Sequence, residues 1–416
     1  MFLFKNLLSR ILFIELVFFA SLAFALNFKI TRANHFSELA SSFLRGELHF
    51  RDDYVDVDQL SFNSKKYWVL GPFPSVLLTP FVYAFSLLGL TFYQGYLNFF
   101  LIILVFYLCF RLALILKYSK EDSLFFAFAF IFSSVYQVAA LTPFSWYFAQ
   151  AISVLALLFA MFEFFTKRRY LIIGIAMSIL LATRTIAFLS VVFFVLTILI
   201  GKAQGKVKCR QILYIFGPVL VSLVLLFLYN YARFGDPMFN GYLKYAESLG
   251  FGFDGGFAGG LFNIKNIPGN FYNYFVSGLG VYKYKYDITL GGFKLTPFFL
   301  KVSPPGTSFF VVSPVFLYVF RSKLKSAIEK RLFITIFIML FALLSFYWSG
   351  WLQLGPRYTL DFLPLLFILF LYSFKERKLS GFAKILILGS SVFNFGLYLT
   401  VYICYICYLA PICLGG

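Results

Sequence analysis

Charged residues in this chain are confined to short clusters separated by long apolar runs, and no other feature constrains its fold so strongly. A helix that crosses ~30 Å of hydrocarbon needs roughly 20 apolar residues, and such runs recur along the 416-residue sequence, which is 61% hydrophobic and 13% charged. In lipid every backbone N–H and C=O must be satisfied within the protein, so helices are expected wherever these runs cross. The expected fold class is therefore an all-α polytopic integral membrane protein, with residues 1–416 forming a single membrane domain. The net charge of +19 would suggest nucleic acid in a soluble protein. Here the basic residues fall at the ends of the apolar runs, where the positive-inside rule puts them, and no nucleic-acid partner is expected.

Basic clusters at Lys117 and Lys120, and over residues 167–169, 202–210, 321–331 and 375–378, are assigned to the cytoplasm with the N-terminus. Between them lie about eleven apolar segments long enough to cross: residues 11–28, 97–116, 123–141, 146–165, 170–182, 186–200, 212–229, 307–320, 332–347, 358–374 and 382–403. Residues 75–90 are also apolar, but a crossing there would invert every later cluster. They follow Pro72 and Pro74 and are read as a juxtamembrane or re-entrant helix. Two large loops then face outside, residues 29–95 with juxtamembrane helices and residues 230–306. The run at 11–28 is long for a signal-peptide core and is read as an uncleaved span. No internal repeat of the kind many transporters show relates the two halves. Cys109 and Cys209 lie near cytoplasmic helix ends and imply no disulfide framework, while Cys404 and Cys407 sit in an apolar run, where small soft residues are the simpler reading than a metal or redox pair. The glycine-rich run at 250–260 lacks the GK[ST] ending of a phosphate loop and is read as an external loop.

Chemistry has to come from the polar residues left outside lipid. In the first loop, His35 and Glu38 are three residues apart and share a face on a helix starting near Asn34, with Leu39 and Phe43 turned toward lipid or core. The acidic stretch that follows contains Asp56 and Asp58. A carboxylate at a membrane surface can deprotonate an acceptor hydroxyl or hold a divalent cation, and a solvated acidic turn is the bland alternative. Lys66 precedes Tyr67 and Trp68 at a polar-to-apolar transition suited to lipid head groups. Arg184, Arg233 and Arg357 lie at the outer ends of apolar spans, where a planar guanidinium is well matched to a lipid phosphate. Snorkelling to ordinary head groups explains any one of them, and less easily all three on one face.

Five segments in fixed order, NHFSELA with FLRGEL, KKYWVLGPFPSVLLTPF, LATRTIAFL, NYARFGDPMFNGY and SGWLQLGPRYTLDFLP, resemble the membrane glycosyltransferases of the GT-C superfamily, related to protein O-mannosyltransferases and to the aminoarabinose transferases of lipid A. The resemblance spans nearly the whole chain. It implies a GT-C-type helical bundle in a bacterial plasma membrane, with the active site on the outer face. It also implies inverting transfer of a sugar from a polyprenyl-phosphate donor to a lipid-linked or protein acceptor, with a first-loop acid as base and basic residues on the departing phosphate. Where many relatives carry an Asp before the aromatic of the first-loop helix, this chain has Arg32-Ala33-Asn34-His35. The base is then assigned to Glu38 with His35 beside it, or to Asp58 or Asp56. The donor phosphate is assigned to Arg357 and Arg233, with Arg184 and Lys66 behind them. No cofactor follows from the sequence, and a divalent metal stays open. A transporter, flippase or polymerase of lipid-linked sugars, or a noncatalytic envelope protein, is the alternative.

Overall fold

The apolar runs fold as α-helices, in which each N–H finds a carbonyl four residues back and lipid needs to supply no partner. In the computed structural model, residues 6–51, 58–248, 260–281, 288–290, 293–295, 300–303, 305–351, 353–374 and 378–403 are described. The chain opens with α1 (Leu7–Ala25), capped by Asn6, and passes through a π-turn at Leu26–Ile30 to α2 (His35–Leu44). An antiparallel hairpin of β1 (Gln59–Phe62) and β2 (Lys65–Trp68) leads to α3 (Phe73–Ser86). Then come α4 (Gln94–Ile115), α5 (Lys120–Phe132), α6 (Tyr136–Leu141) and α7 (Ser145–Phe165). They are followed by α8 (Tyr170–Thr183), α9 (Thr185–Phe188), α10 (Val191–Ile200) and α11 (Gly205–Phe234). After α12 (Gly241–Ser248), α13 (Ile267–Phe271) and α14 (Phe309–Val312), the chain ends in α15 (Ala327–Ser345), α16 (Leu363–Tyr372) and α17 (Gly381–Tyr398).

The protein is thus a helical multispan membrane protein. Among the described residues, five helical segments are long and apolar enough to cross: Leu7–Ile30, Gln94–Ile115, Ser145–Phe165, Gly205–Phe234 and Gly381–Val401. Shorter apolar helices accompany them, including Phe73–Ser86 and Tyr170–Thr183. On α11, Leu213, Leu220, Leu225 and Leu228 are all more than half exposed, which only an apolar solvent tolerates in a row.

Every expected span falls on helix, but some are broken. The segment 123–141 divides into α5 and α6 at Ser133-Ser134, whose hydroxyls donate to Ile387 O at 2.7 Å and Phe130 O at 2.5 Å. The segment 307–320 is not one α-helix: α14 stops at Ser313 and a 3-10 helix, Pro314–Arg321, continues it, since Pro314 has no N–H to extend α14. Of residues 75–90, 75–86 fall on α3, whose 14 residues reach roughly 21 Å, short of the hydrocarbon thickness.

Contacts between helix termini define two ends of the bundle. At one, Lys384 at the start of α17 lies 2.7 Å from Glu121 and 2.9 Å from Asp122 at the start of α5, and Asn6 and Ser9 of α1 also donate to Glu121. At the other, the starts of α4 and α7 meet α2: Gln94 Oε1 accepts from Phe36 N at 3.1 Å while its Nε2 donates to Pro143 O at 2.6 Å. Of the described candidate residues, the arginines and His35 gather at this second end. The loop before α3 is fastened to α8 there by Gly71, where an added Cβ would stand 2.1 Å from Ala182 O and 2.8 Å from its carbon. Both obstructing atoms are backbone. Gly71→Ala is therefore expected to lower stability by about 1–3 kcal/mol through overpacking, read as a lower unfolding midpoint in detergent. An unchanged midpoint would contradict the close approach.

Candidate functional site

Between α3, α8 and α11 lies a groove with a cavity volume of about 710 Å³, lined almost wholly by apolar side chains such as Phe73, Val76, Ile179 and Leu225. Its two long walls end in arginine. α8 contributes Ala182 to the lining and stops at Thr183, one residue before Arg184. α11 contributes Tyr229, one turn before Arg233.

Arg233 stacks over Tyr229, 3.9 Å from the ring centroid, and over Phe234 at 4.5 Å. Its guanidinium donates to Trp68 O at 3.1 Å and Asn230 Oδ1 at 2.6 Å, so both hydrogen-bond partners are neutral. A cation on aromatic faces with its charge unspent retains attraction for an anion. Trp68 is buried and its ring lies 4.7 Å from that of His35. This joins His35, Trp68 and Arg233 in one cluster. Helix α2 begins at His35 after Asn34, as the spacing predicts. Leu39 is fully buried and Phe43 lines the groove, while Glu38 is half-buried, with Asn34 Nδ2 donating to its Oε1 at 3.3 Å. Lys66 is half-buried on β2, opposite Ser61.

Arg184, expected behind Arg357 and Arg233 on the donor phosphate, lies against an acid of the chain itself. Its Nε donates to Asp361 Oδ1 at 2.5 Å and its Nη2 to Oδ2 at 2.8 Å, and the Asp361 side chain is wholly buried. The two parallel contacts are the bidentate geometry a guanidinium makes with a carboxylate. Arg184 and Arg357 both lie 5.4 Å from the centroid of the Tyr358 ring. Arg357 also lies over Trp146 at 5.3 Å and Tyr147 at 5.7 Å.

Asp58, with a positive φ of 62°, accepts a 2.6 Å hydrogen bond from the Tyr245 hydroxyl, tying the first loop to the second. Burial and the Asp58 carboxylate both raise the Tyr245 hydroxyl pKa above its ordinary value. Asp56, and Cys404 and Cys407, lie outside the described residues. Among the described residues no three His, Cys, Asp or Glu side chains converge. The structure therefore gathers His35 with Arg233, and Arg184 with Arg357. Glu38 accepts from Asn34 at the start of its own helix. Sequence reasoning passed over Asp361, Tyr358, Trp146 and Tyr245. Asp361 alone gave a signal, an ionisable residue at the start of an apolar run.

No protein-family model matches the chain, and no curated protein matches it. Among solved structures, the apo form of the Archaeoglobus fulgidus oligosaccharyltransferase is similar with a TM-score of 0.43 and 14% identity, covering 99% of this chain and 55% of that one. The chain thus spans about half the length of that protein, and a likeness of this degree assigns neither family nor activity.

The raised Tyr245 pKa has a direction that can be measured. The folded state holds this proton more tightly than the unfolded chain, so the stabilisation is complete below about pH 10 and is lost as pH rises through the folded-state value. The unfolding midpoint of the wild type is expected to fall more steeply above pH 10 than that of Tyr245→Phe. Parallel pH profiles would contradict the Asp58–Tyr245 contact.

Proposed function

We propose that the protein is a membrane glycosyltransferase that moves a sugar from a polyprenyl-phosphate donor to an acceptor hydroxyl at the outer face of the membrane. The observation that carries this reading is the apolar groove whose α11 wall runs up to Arg233, a guanidinium on aromatic rings with neutral hydrogen-bond partners. An isoprenoid chain gains from leaving water for such a groove, and a phosphate at its mouth meets guanidinium groups that prefer planar, bidentate oxyanions. Arg233 and Arg357 are assigned to that phosphate, Lys66 to its approach, and Arg184 to the support of the Arg357 turn. The positive-inside rule applied to the basic clusters supports an outward position for this end, with residues 29–95 and 230–306 as the outer loops of one membrane domain.

The reaction is written as an inverting displacement. The acceptor oxygen forms a bond to the anomeric carbon as the bond from that carbon to the phosphate oxygen breaks. The acceptor proton passes to a first-loop carboxylate, and the departing phosphate carries its new charge to the arginines. Glu38 is the first candidate base, half-buried on the helix that presents His35 to Trp68 and Arg233. Asp58 is the second, with Asp56 in the same stretch. His35 would tune the surroundings of Glu38. The GT-C resemblance of the five sequence segments supports the same chemistry.

Radiolabelled sugar transfer from a panel of polyprenyl-phosphate donors, in membranes holding the wild type or single variants, tests the proposal. Arg357→Ala and Arg233→Ala are each expected to reduce transfer on the order of 100-fold, the loss typical of removing one group that stabilises developing charge. Glu38→Gln is expected to abolish transfer if it is the base. Loss in Asp58→Asn with Glu38→Gln active moves the base to Asp58, and no transfer with any donor would overturn the reaction class.

A further inference from the structure

Arg357 sits on a 3-10 helix of only five residues, Arg357–Asp361. Such turns have poor hydrogen-bond geometry and occur in short pieces, so the position of this one depends on what grips it from outside. Three grips are present. Gln353 Oε1 accepts from Arg357 N at 3.2 Å, and its Nε2 donates to Pro305 O at 2.7 Å and Ser349 O at 2.9 Å. Gln150 Nε2 on α7 donates to Arg357 O at 3.0 Å. Arg184 then clamps Asp361, at the far end of the turn, from 177 residues away.

The third grip differs in kind from the amides. A buried ion pair is seldom the most stable filling for its volume, and apolar replacements of similar shape are often neutral or better. Its geometry has two consequences that an apolar filling would lack. Asp361 is an acid four residues from Arg357, and Arg184 takes both of its oxygens, so that acid is neutralised by a guanidinium other than that of Arg357. The Tyr358 ring between them is also fixed, with Arg184 and Arg357 each 5.4 Å from its centroid. We propose that Arg184 and Asp361 are positioning residues whose ion pair sets the Arg357 turn and the Tyr358 ring, and so orients the Arg357 guanidinium for the donor phosphate. This rests on the reading of Arg357 as a donor-phosphate ligand.

The test is the affinity of the full-length protein, in nanodiscs of zwitterionic lipid, for farnesyl phosphate and for farnesol. The ratio of the two isolates the phosphate. Removing one partner of the pair would strand a buried charge, so the informative variant is the neutral pair R184Q/D361N. It is expected to lose about tenfold of the phosphate preference while farnesol affinity and unfolding midpoint hold, and Arg357→Ala is expected to lose more. Arg184→Lys keeps the charge without the fork, and its expected loss of about threefold carries the test should the double variant not fold. A wild-type ratio in R184Q/D361N or Arg184→Lys, with the ratio lost in Arg357→Ala, would overturn the positioning role and leave Arg357 as a phosphate ligand. Farnesol affinity falling in step with farnesyl phosphate would reduce the pair to a structural role and overturn the proposal. A ratio unchanged in Arg357→Ala would overturn the reading of Arg357 itself.

Discussion

Hydrocarbon offers no hydrogen bonds, so each break in a helix must be closed by the protein, and the architecture of this chain follows from how its breaks are closed. Asn27, in the π-turn after α1, donates to Ala23 O at 2.8 Å and Ala140 O at 2.9 Å. Asn98 on α4 then donates to Asn27 Oδ1 at 2.9 Å and to Ala139 O at 3.0 Å. Two amides thereby serve the turn after α1 and the carbonyls of the short α6 at once. Gln94, Asn270 and Asn394 do the same elsewhere, each donating to backbone carbonyls from a buried position. Such contacts fix which helices lie side by side more firmly than apolar packing, which lipid can imitate.

The same constraint drives charge to the helix ends and makes them functional. At one end charge is spent on fastening, as in the Lys384, Glu121 and Asp122 cluster and the Glu163–Arg169 pair. At the other, Arg233 and Arg357 lie on aromatic rings, and Arg184 is consumed by Asp361. An apolar groove whose α11 wall runs up to the aromatic-supported Arg233 is suited to an amphiphile with an anionic head, and the proposed transfer chemistry is built on that suitability.

The fold class was legible because the spacing of charges reports solvation directly, and α2 was legible because Asn34 precedes a helical pattern. The breaks were not. At the Ser133-Ser134 break the Ser133 hydroxyl donates to Ile387 O, 254 residues distant, and a hydropathy pattern contains no such partner. The candidate site was half legible. Arginines at span ends stand out in so apolar a chain, but whether each faces a ligand or an internal acid depends on contacts like Arg184 with Asp361. Likewise Asp58 was visible as an acid, while its hydroxyl partner Tyr245 lies 187 residues away in the other large loop.

The central claim is that the groove and the arginines form one binding site for a lipid-linked phosphate. An experimental structure of the protein in nanodiscs with a bound polyprenyl phosphate would test it most directly. The isoprenoid chain is expected along α3, α8 and α11, and the phosphate in hydrogen-bonding contact with Arg233 or Arg357. A lipid chain bound on another face of the bundle, or a phosphate remote from both arginines, would contradict it.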